Sequence, residues 1–532
     1  MFLREVVTGQ KSGNPVRYAQ IVESYRNEQG KSRHRVLMSL GRVDSIDKER
    51  VEKLIRVLSR FLERGEIPQG GRVGETRDFG VAFLAQQLWE KLKFPQFFSK
   101  LLRSRKFEIA IERAIFAMVA HRLCDPASKR ACAEWLELDV WIPTAKGITS
   151  QHLYRAMDFL DEHREELEEA LCRHRSVHLD PTTIVYFDTT STYFECDETG
   201  VDEESYGIRQ RGYSRDLRPD RRQIVIGLAT DQHGCPLLSE VFSGETTDAL
   251  TVVPLLHRLK KLNLSKVVWV TDRGMASDLN LSAVKQAGLQ YIIGARLRAD
   301  EDLRAAIHAD RQSFEKANHG VLVKEVNCAG RRLVVCFSPA SAERDHKLRN
   351  AAIERLKPVL DKVNMGADDS LITGNGWYKR LTSKNKDGSH SLDKNKLERE
   401  AQCYGTYVLE VSDAAISAKE AANAYKGLLR VEQAFRVLKH GLDIRPVYHR
   451  LEQRIRAHVT LCVLGYLLES LIERETHQSF EEVRRHFHRI RAIELQFDEQ
   501  NVWETSVPSP EARKILNVLR FDAPPRVLTN SP

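Results

Sequence analysis

Three acidic residues, far apart in the chain, stand where carboxylates could share a cation. Asp188 closes the apolar run TIVYFD (Thr183 to Asp188), Asp272 closes KVVWVTD (Lys266 to Asp272), and Glu432 lies in the helical pattern AYKGLLRVEQAFRVLKHG. Each has an ordinary explanation by itself. Aspartates end strands and cap helices, and a surface helix glutamate pairs with an arginine such as Arg436, four residues on. In combination, two strand-end aspartates and a helix glutamate form the oxygen donor set that Mg²⁺ or Mn²⁺ takes. Two such ions held side by side activate a water or hydroxyl and stabilise the leaving oxygen of a phosphodiester. Asp188, Asp272 and Glu432 are therefore expected as catalytic residues and as ligands of two divalent metal ions.

Residues around the glutamate point the same way. Tyr425, Glu432 and Lys439 are spaced by sevens, and each such step along a helix returns to within about 20° of one face. One continuous helix would present aromatic hydroxyl, carboxylate and amine together, with Arg436 one turn past the glutamate. Lys439, Tyr425 and Arg436 are expected to meet phosphate. The loop GIRQRGYSRDLRPDRRQ, Gly207 to Gln223, adds six arginines; Arg211, Arg215 and Arg221 are expected as further phosphate contacts, which suit the bidentate guanidinium. Tyr193, Tyr206 and Tyr213 could stack on an unpaired base. The hydroxyl run after Asp188 (Thr189, Thr190, Ser191, Thr192) reads as the loop that orders the first carboxylate and not as a set of ligands itself.

These residues need a sheet to position them. TIVYFD, QIVIGLAT (Gln223 to Thr230), CPLLSEVFSG (Cys235 to Gly244), KVVWVTD and QYIIGAR (Gln290 to Arg296) are short β-rich runs, with helical patterns between the later ones. Three strands in succession, then strand, helix and strand, predict an α/β fold with a mixed sheet and helices packed on it. That order is ribonuclease-H-like, and it makes the first and fourth strands neighbours, so both aspartates could reach one ion. Around this core the chain divides into 1–75, an N-terminal hairpin and charged helix; 76–178, a helical domain suited to binding DNA ends; 179–297, the first part of the core; 298–403, an insertion domain; 404–475, the second part with the Glu helix; and 476–532, a C-terminal helical region and tail. Ser150 is a plausible N-cap for the last helix of the helical domain, and the basic stretches LLRSRK and PASKR are expected on that domain's surface. His458, ahead of an apolar helical stretch, is expected to pack beneath the Glu helix.

The net charge of +8, from 82 Lys and Arg against 74 Asp and Glu, permits a polyanionic partner without demanding one. Nine scattered cysteines with neither a CxxC pair nor a zinc spacing indicate thiols in a reducing compartment. The N-terminus lacks a signal-peptide core. The longest strongly apolar stretch, Val459 to Leu468, is shorter than the roughly 20 residues that span a bilayer. A cytoplasmic, nucleoid-associated protein without a membrane partner is expected.

The ordered motifs FDTTSTYFE, Gly234 to Pro236, VTDRGMAS and Y-x6-E-x6-K resemble the DDE transposases of bacterial insertion sequences. The resemblance is to the branch with a large insertion domain before the glutamate and a Y-x2-R-x3-E-x6-K signature; it runs from about residue 180 to 465, with weaker likeness in the N-terminal hairpin. It implies that Asp188, Asp272 and Glu432 are the catalytic triad and that Tyr425 and Lys439 are the signature's tyrosine and lysine. Leu428 occupies the arginine's place. Arg430, two residues later, lies about 200° around a helix and cannot substitute for it. The activity implied is metal-dependent cleavage of element ends and joining of the freed 3′-hydroxyl to target DNA, with at least a dimer holding the two ends. Two other readings are a ribonuclease-H-like metal nuclease that cuts without joining, and a DNA-binding protein whose catalysis has lapsed. The latter would be marked by a lost carboxylate, and all three are present.

Overall fold

The computed structural model describes residues 2–8, 16–26, 32–43, 72–103, 109–176, 183–195, 206–262, 264, 266–295, 297, 304, 314–328, 330–496 and 501–528. The chain divides into two units, Met1–Gly74 with Leu495–Val502, and Glu75–Glu494 with Trp503–Pro532. The first contains an antiparallel sheet of β1 (Phe2–Thr8), β2 (Val16–Arg26) and β3 (Ser32–Arg42). The expected hairpin is the β2–β3 pair, and β1 extends it by one strand. Arg35, one of its basic residues, is bound to Glu23 across that pair at 2.8 Å, so its charge is already partnered. The charged helix expected after the hairpin falls outside the described residues.

The second unit begins with six helices: α1 (Gly80–Lys91), α2 (Phe94–Leu102), α3 (Ile111–Cys124), α4 (Lys129–Leu138), α5 (Ser150–Glu162) and α6 (Arg164–Ser176). The helix expected from Ser150 onward is interrupted at His163, and its cap is Thr149, whose hydroxyl accepts from the His152 amide in a capping box. The PASKR stretch is not a basic surface patch. Lys129 is buried, and Arg130 is exposed beside Glu134.

Strand β4 (Arg72–Asp78) precedes the helices, β13 (Thr382–Lys384) and β14 (His390–Leu392) form a hairpin of their own, and the core, among the described residues, is a nine-stranded sheet. Its strands are β5 (Thr183–Tyr193), β6 (Gln223–Thr230), β7 (Pro236–Ser243), β8 (Val267–Thr271), β9 (Gln290–Gly294), β10 (Glu315–Lys316), β11 (Leu322–Cys328), β12 (Arg331–Phe337) and β15 (Thr406–Val411), in the order β10-β11-β12-β15-β9-β8-β5-β6-β7. β5, β8 and β9 run parallel, while β5, β6 and β7 pair antiparallel. The runs QIVIGLAT and VVWVT are buried throughout and mostly apolar because both faces of the sheet are covered. On one face Val268 and Val270 join a core with helices from Ala418 onward; on the other Val267 and Trp269 pack with α7 (Asp248–Lys261) and α8 (Asp278–Gln286).

The described residues of 298–403 fall in two parts. β11 and β12 extend the central sheet, since β12 pairs with β15 from Leu333↔Glu410 to Phe337↔Thr406. The remainder, from α9 (Pro339–Asn364) to the short helices and hairpin before Gln402, has a small core of its own around Leu356, Leu360, Ile372 and Leu381. A hairpin's sequence states its own pairing but not its outer neighbour, so this extension was not readable locally.

The chain then forms a helix Ala418–Lys426, a second helix Leu429–His440 and a long one, Glu452–Thr476. The last exceeds the apolar stretch seen in the sequence and is long and apolar enough to cross a membrane, but its apolar window is 94% buried inside the protein. It is the central core helix, and His458 in it is buried with Nε2 3.1 Å from the Ile444 carbonyl oxygen.

Glu469 is also buried on this helix, and burial, reinforced by the neighbouring Glu473, pushes its carboxyl up to about 8. A raised folded-state pKa means that the folded chain keeps a proton the unfolded chain releases, so stability is lost between pH 4.5 and about 8. Glu469→Gln is expected to stabilise the protein at pH 8 by on the order of 2 kcal/mol. The gain should shrink toward pH 5 in urea titrations; an equal gain at both pH values would refute the buried-charge account.

Candidate active site

The parallel register of β5 and β8 runs from Thr183↔Val267 to Phe187↔Thr271. Asp188 does not end its strand as its apolar run suggests: β5 continues through the hydroxyl run to Tyr193, while Asp272 is the first residue after β8, and the two stand side by side where the parallel pairing stops. A hydrogen bond of 3.2 Å from the Thr271 hydroxyl to the Phe187 carbonyl joins the strands just before them. This is where an open α/β sheet offers its site, beyond the carboxyl ends of parallel strands.

The two aspartates differ in environment. Asp188 is half-buried, and its Oδ1 accepts the Thr189 amide at 2.7 Å. Burial pushes its carboxyl up to about 6, opposed by the Thr189 amide and the Arg215 guanidinium and reinforced by the charges of Glu432 and Asp248. Asp272 is exposed, and its Oδ1 accepts the Tyr425 hydroxyl at 2.9 Å. Glu432 is exposed in the first turn of its helix. Its helix packs on β5, and its charge is among those that raise the Asp188 carboxyl. Among the described residues, no three His, Cys, Asp or Glu side chains are already gathered tightly enough to hold an ion.

The seven-residue ladder does not lie on one unbroken helix. The helix carrying Tyr425 ends at Lys426, and the one carrying Glu432 and Lys439 begins at Leu429. Gly427 is the joint, because a Cβ there would lie 1.9 Å from the Tyr186 hydroxyl oxygen. Three-residue hydrogen bonds, Leu428 N–H to Tyr425 O and Arg430 N–H to Gly427 O, tighten the chain across it. Tyr425 is thereby engaged with the second aspartate.

The basic residues expected at phosphate are mostly partnered by carboxylates. Arg215 donates to the Thr189 hydroxyl at 3.0 Å and to Asp248, while its amide donates to the Ser191 hydroxyl at 2.9 Å. Within the hydroxyl run, Thr189 meets Asp188 through its backbone amide, whereas its hydroxyl donates to Asp248 at 2.7 Å. Lys439 donates to Asp216 at 2.7 Å, and Arg221 lies 3.4 Å from Asp220. Arg436 and Arg211 are exposed. Of the three tyrosines, Tyr206 is buried with Arg222 3.5 Å from its ring centre, Tyr193 has Arg218 at 5.1 Å, and Tyr213 is 85% exposed.

Asp216, Asp248 and Arg445 were not singled out by the sequence. Asp248 looks like any first-turn helix acid, and Asp216 and Arg445 meet Lys439 only through the tertiary fold.

Residues 177–468, more than half of the chain, match the transposase DDE domain family. The chain belongs to the DDE transposases. Residues 3–70 match the N-terminal domain of the IS1634 family transposases. Among solved structures, a piggyBac transposase synaptic complex with hairpin DNA aligns at 9% identity over 78% of this chain and 82% of that one, with a TM-score of 0.35. A Mos1 transposase paired-end complex with the left transposon end aligns at 14% identity over 46% and 68%, with a TM-score of 0.15. At those scores neither superposition bears on the argument. No curated protein matches. In this transposase the signature's arginine position is filled by Leu428, which packs half-buried against the main core at the helix joint.

Proposed function

We propose that this transposase cuts phosphodiester bonds at the ends of its own element and joins the freed 3′-hydroxyl to target DNA. Asp188, Asp272 and Glu432 are the catalytic carboxylates of a ribonuclease-H-like core. The observation that carries this is the parallel β5–β8 pair, which ends in two adjacent aspartates with the charge of Glu432 bearing on the first.

The donor set fits hard divalent cations. All donors are carboxylate oxygens, and a desolvated Asp188 facing a second negative charge is stabilised in its ionised form by a cation. Asp188, Asp272 and Glu432 would hold two ions, Mg²⁺ or Mn²⁺, which when bound supply a nucleophile at neutral pH and charge stabilisation at the leaving oxygen. The protein's own part is positioning. The Thr189 amide and Arg215 favour the ionised form of Asp188, and the Tyr425 hydroxyl fixes one oxygen of Asp272. Glu432 and the second oxygen of Asp272 are left to face the ions from the exposed side.

DNA is the partner, both as element ends and as target, and two ends to be held imply at least a dimer in the working complex. The helical segment 76–178 is the candidate for end binding. The site of action is the cytoplasm, at the nucleoid. Incubation of the transposase and Mg²⁺ with pre-cut element ends and a target plasmid is expected to yield joined products. Ends that are cleaved when supplied uncut, yet never joined, would favour a nuclease and overturn the transfer step.

A further inference from the structure

Lys439 and Arg445 direct their charges at a single oxygen. Lys439 Nζ lies 2.7 Å and Arg445 Nη1 2.5 Å from Asp216 Oδ1. Lys439 sits in the last turn of the Glu432 helix. Arg445 lies five residues past that helix's end, after a reversal in which Asp443 adopts φ 47°, and its Nη2 is 3.4 Å from His440 Nε2. The three side chains are 12%, 21% and 4% exposed for Lys439, Arg445 and Asp216.

The carboxylate is a poor fit for this setting. Two cations share one of its oxygens, and the other oxygen is buried with no hydrogen-bond partner. A buried charged acceptor left half-satisfied gives up much of what the ion pair returns. The cluster also keeps an excess positive charge, because one carboxylate faces two cations. A phosphodiester group presents two non-bridging oxygens, one for the ammonium and one for the guanidinium, and arginine suits that geometry. The loop that carries Asp216 is also the one that brings Arg215 to Thr189, the residue after Asp188. An anion that takes the seat therefore acts on a loop that touches the first catalytic strand.

Lys439 is already expected at phosphate; we infer that Arg445 completes its seat for a DNA backbone phosphate and that the Asp216 carboxylate occupies that seat in the DNA-free chain as a built-in competitor. The inference rests on the reading of DNA as substrate, adds Arg445 to the contact surface, and gives Asp216 a role opposite in sign to that of its neighbours.

The test is binding of a fluorescent 30-base-pair duplex of arbitrary sequence to the full chain, followed by anisotropy across a range of salt concentrations, because phosphate contacts are sequence-independent. Arg445→Ala is expected to weaken binding roughly tenfold and to lower the salt slope by about one. Asp216→Asn, which keeps the shape and removes the charge, is expected to tighten binding roughly tenfold. An unchanged slope in Arg445→Ala, or weaker binding in Asp216→Asn, overturns the seat. Should Asp216→Asn fold poorly with two cations unopposed, the double variant Asp216→Asn/Arg445→Gln removes the imbalance; it should bind with a slope about one below wild type, and a wild-type slope there overturns the seat equally. None of these measurements involves cutting. A chain with the expected slopes that leaves every element end uncut keeps the seat and loses the transposition reading. A chain that cuts and joins but shows no slope change loses the seat alone.

Discussion

Asp188→Asn is expected to fold more stably than wild type in metal-free buffer at neutral pH and to cut no DNA. The two effects share one cause. Burial raises the Asp188 carboxyl to about 6 from the ordinary 3.8, so the fold disfavours the ionised form. A raised folded-state pKa places the penalty above about pH 6 and removes it below 3.8. The amide side chain avoids the penalty, and its carbonyl can still accept the Thr189 N–H now donated to Oδ1. The expected gain is roughly 1–2 kcal/mol at pH 7.5 after allowance for partial exposure, falling away as the pH approaches 4. An amide cannot supply the negative oxygen that a hard cation takes. Cutting should therefore fall by at least about 10³-fold, the scale of losing several kcal/mol of transition-state charge stabilisation. Duplex binding should stay within about twofold, because the backbone phosphates are held by basic side chains elsewhere and a carboxylate makes no direct bond to them. Thermal melts from pH 5 to 8 and nicking of a supercoiled plasmid carrying the element ends check both halves. A variant that is destabilised at pH 7.5, or that nicks at the wild-type rate, contradicts the role given to Asp188.

The same contrast explains what could be read before the fold was known. Asp188 and Asp272 were legible because each ends a β-rich run, and a parallel pairing of the first and fourth strands needs only element order. Glu432 was legible from its spacing to Tyr425 and Lys439. What escaped were features made by long-range packing. Asp216 is separated from Lys439 by more than two hundred residues, so no local pattern could pair them. The β11–β12 hairpin declares its turn and its alternation, whereas its outer partner, β15, lies beyond a helical excursion. Lys129 sits in a stretch that reads as a basic turn and is buried because α4 packs that side inward. The joint at Gly427 also escaped, since a single glycine inside a helical pattern costs only about 1 kcal/mol and predicts no break.

That joint gives the second large effect. Gly427→Ala should by local propensity stabilise the helix by about 1 kcal/mol, and the backbone there is already right-handed, with φ −63° and ψ −14°. Sterics oppose this. The new Cβ would lie 1.9 Å from the Tyr186 hydroxyl oxygen, 2.2 Å from Cζ and 2.8 Å from Cε1. Tyr186 is 3% exposed on β5, two residues before Asp188, so the ring cannot yield without moving the catalytic strand. Overpacking of this kind costs about 1–3 kcal/mol and should outweigh propensity, leaving the variant less stable. The displacement is passed to Glu432 five residues on, and a shift of about 1 Å at a reacting group costs roughly 10²-fold in rate. Lys439 rides on the same helix as Glu432, so KM should rise alongside the fall in kcat. The Tyr186→Ala background separates the two terms. With the ring gone, Gly427→Ala should become neutral or stabilising, giving a coupling energy of roughly 2 kcal/mol in a double-mutant cycle of urea denaturation. If Gly427→Ala destabilises equally in both backgrounds, the glycine is not there for Tyr186, and the placement of Glu432 must depend on something other than the close approach of this helix joint to the first catalytic strand.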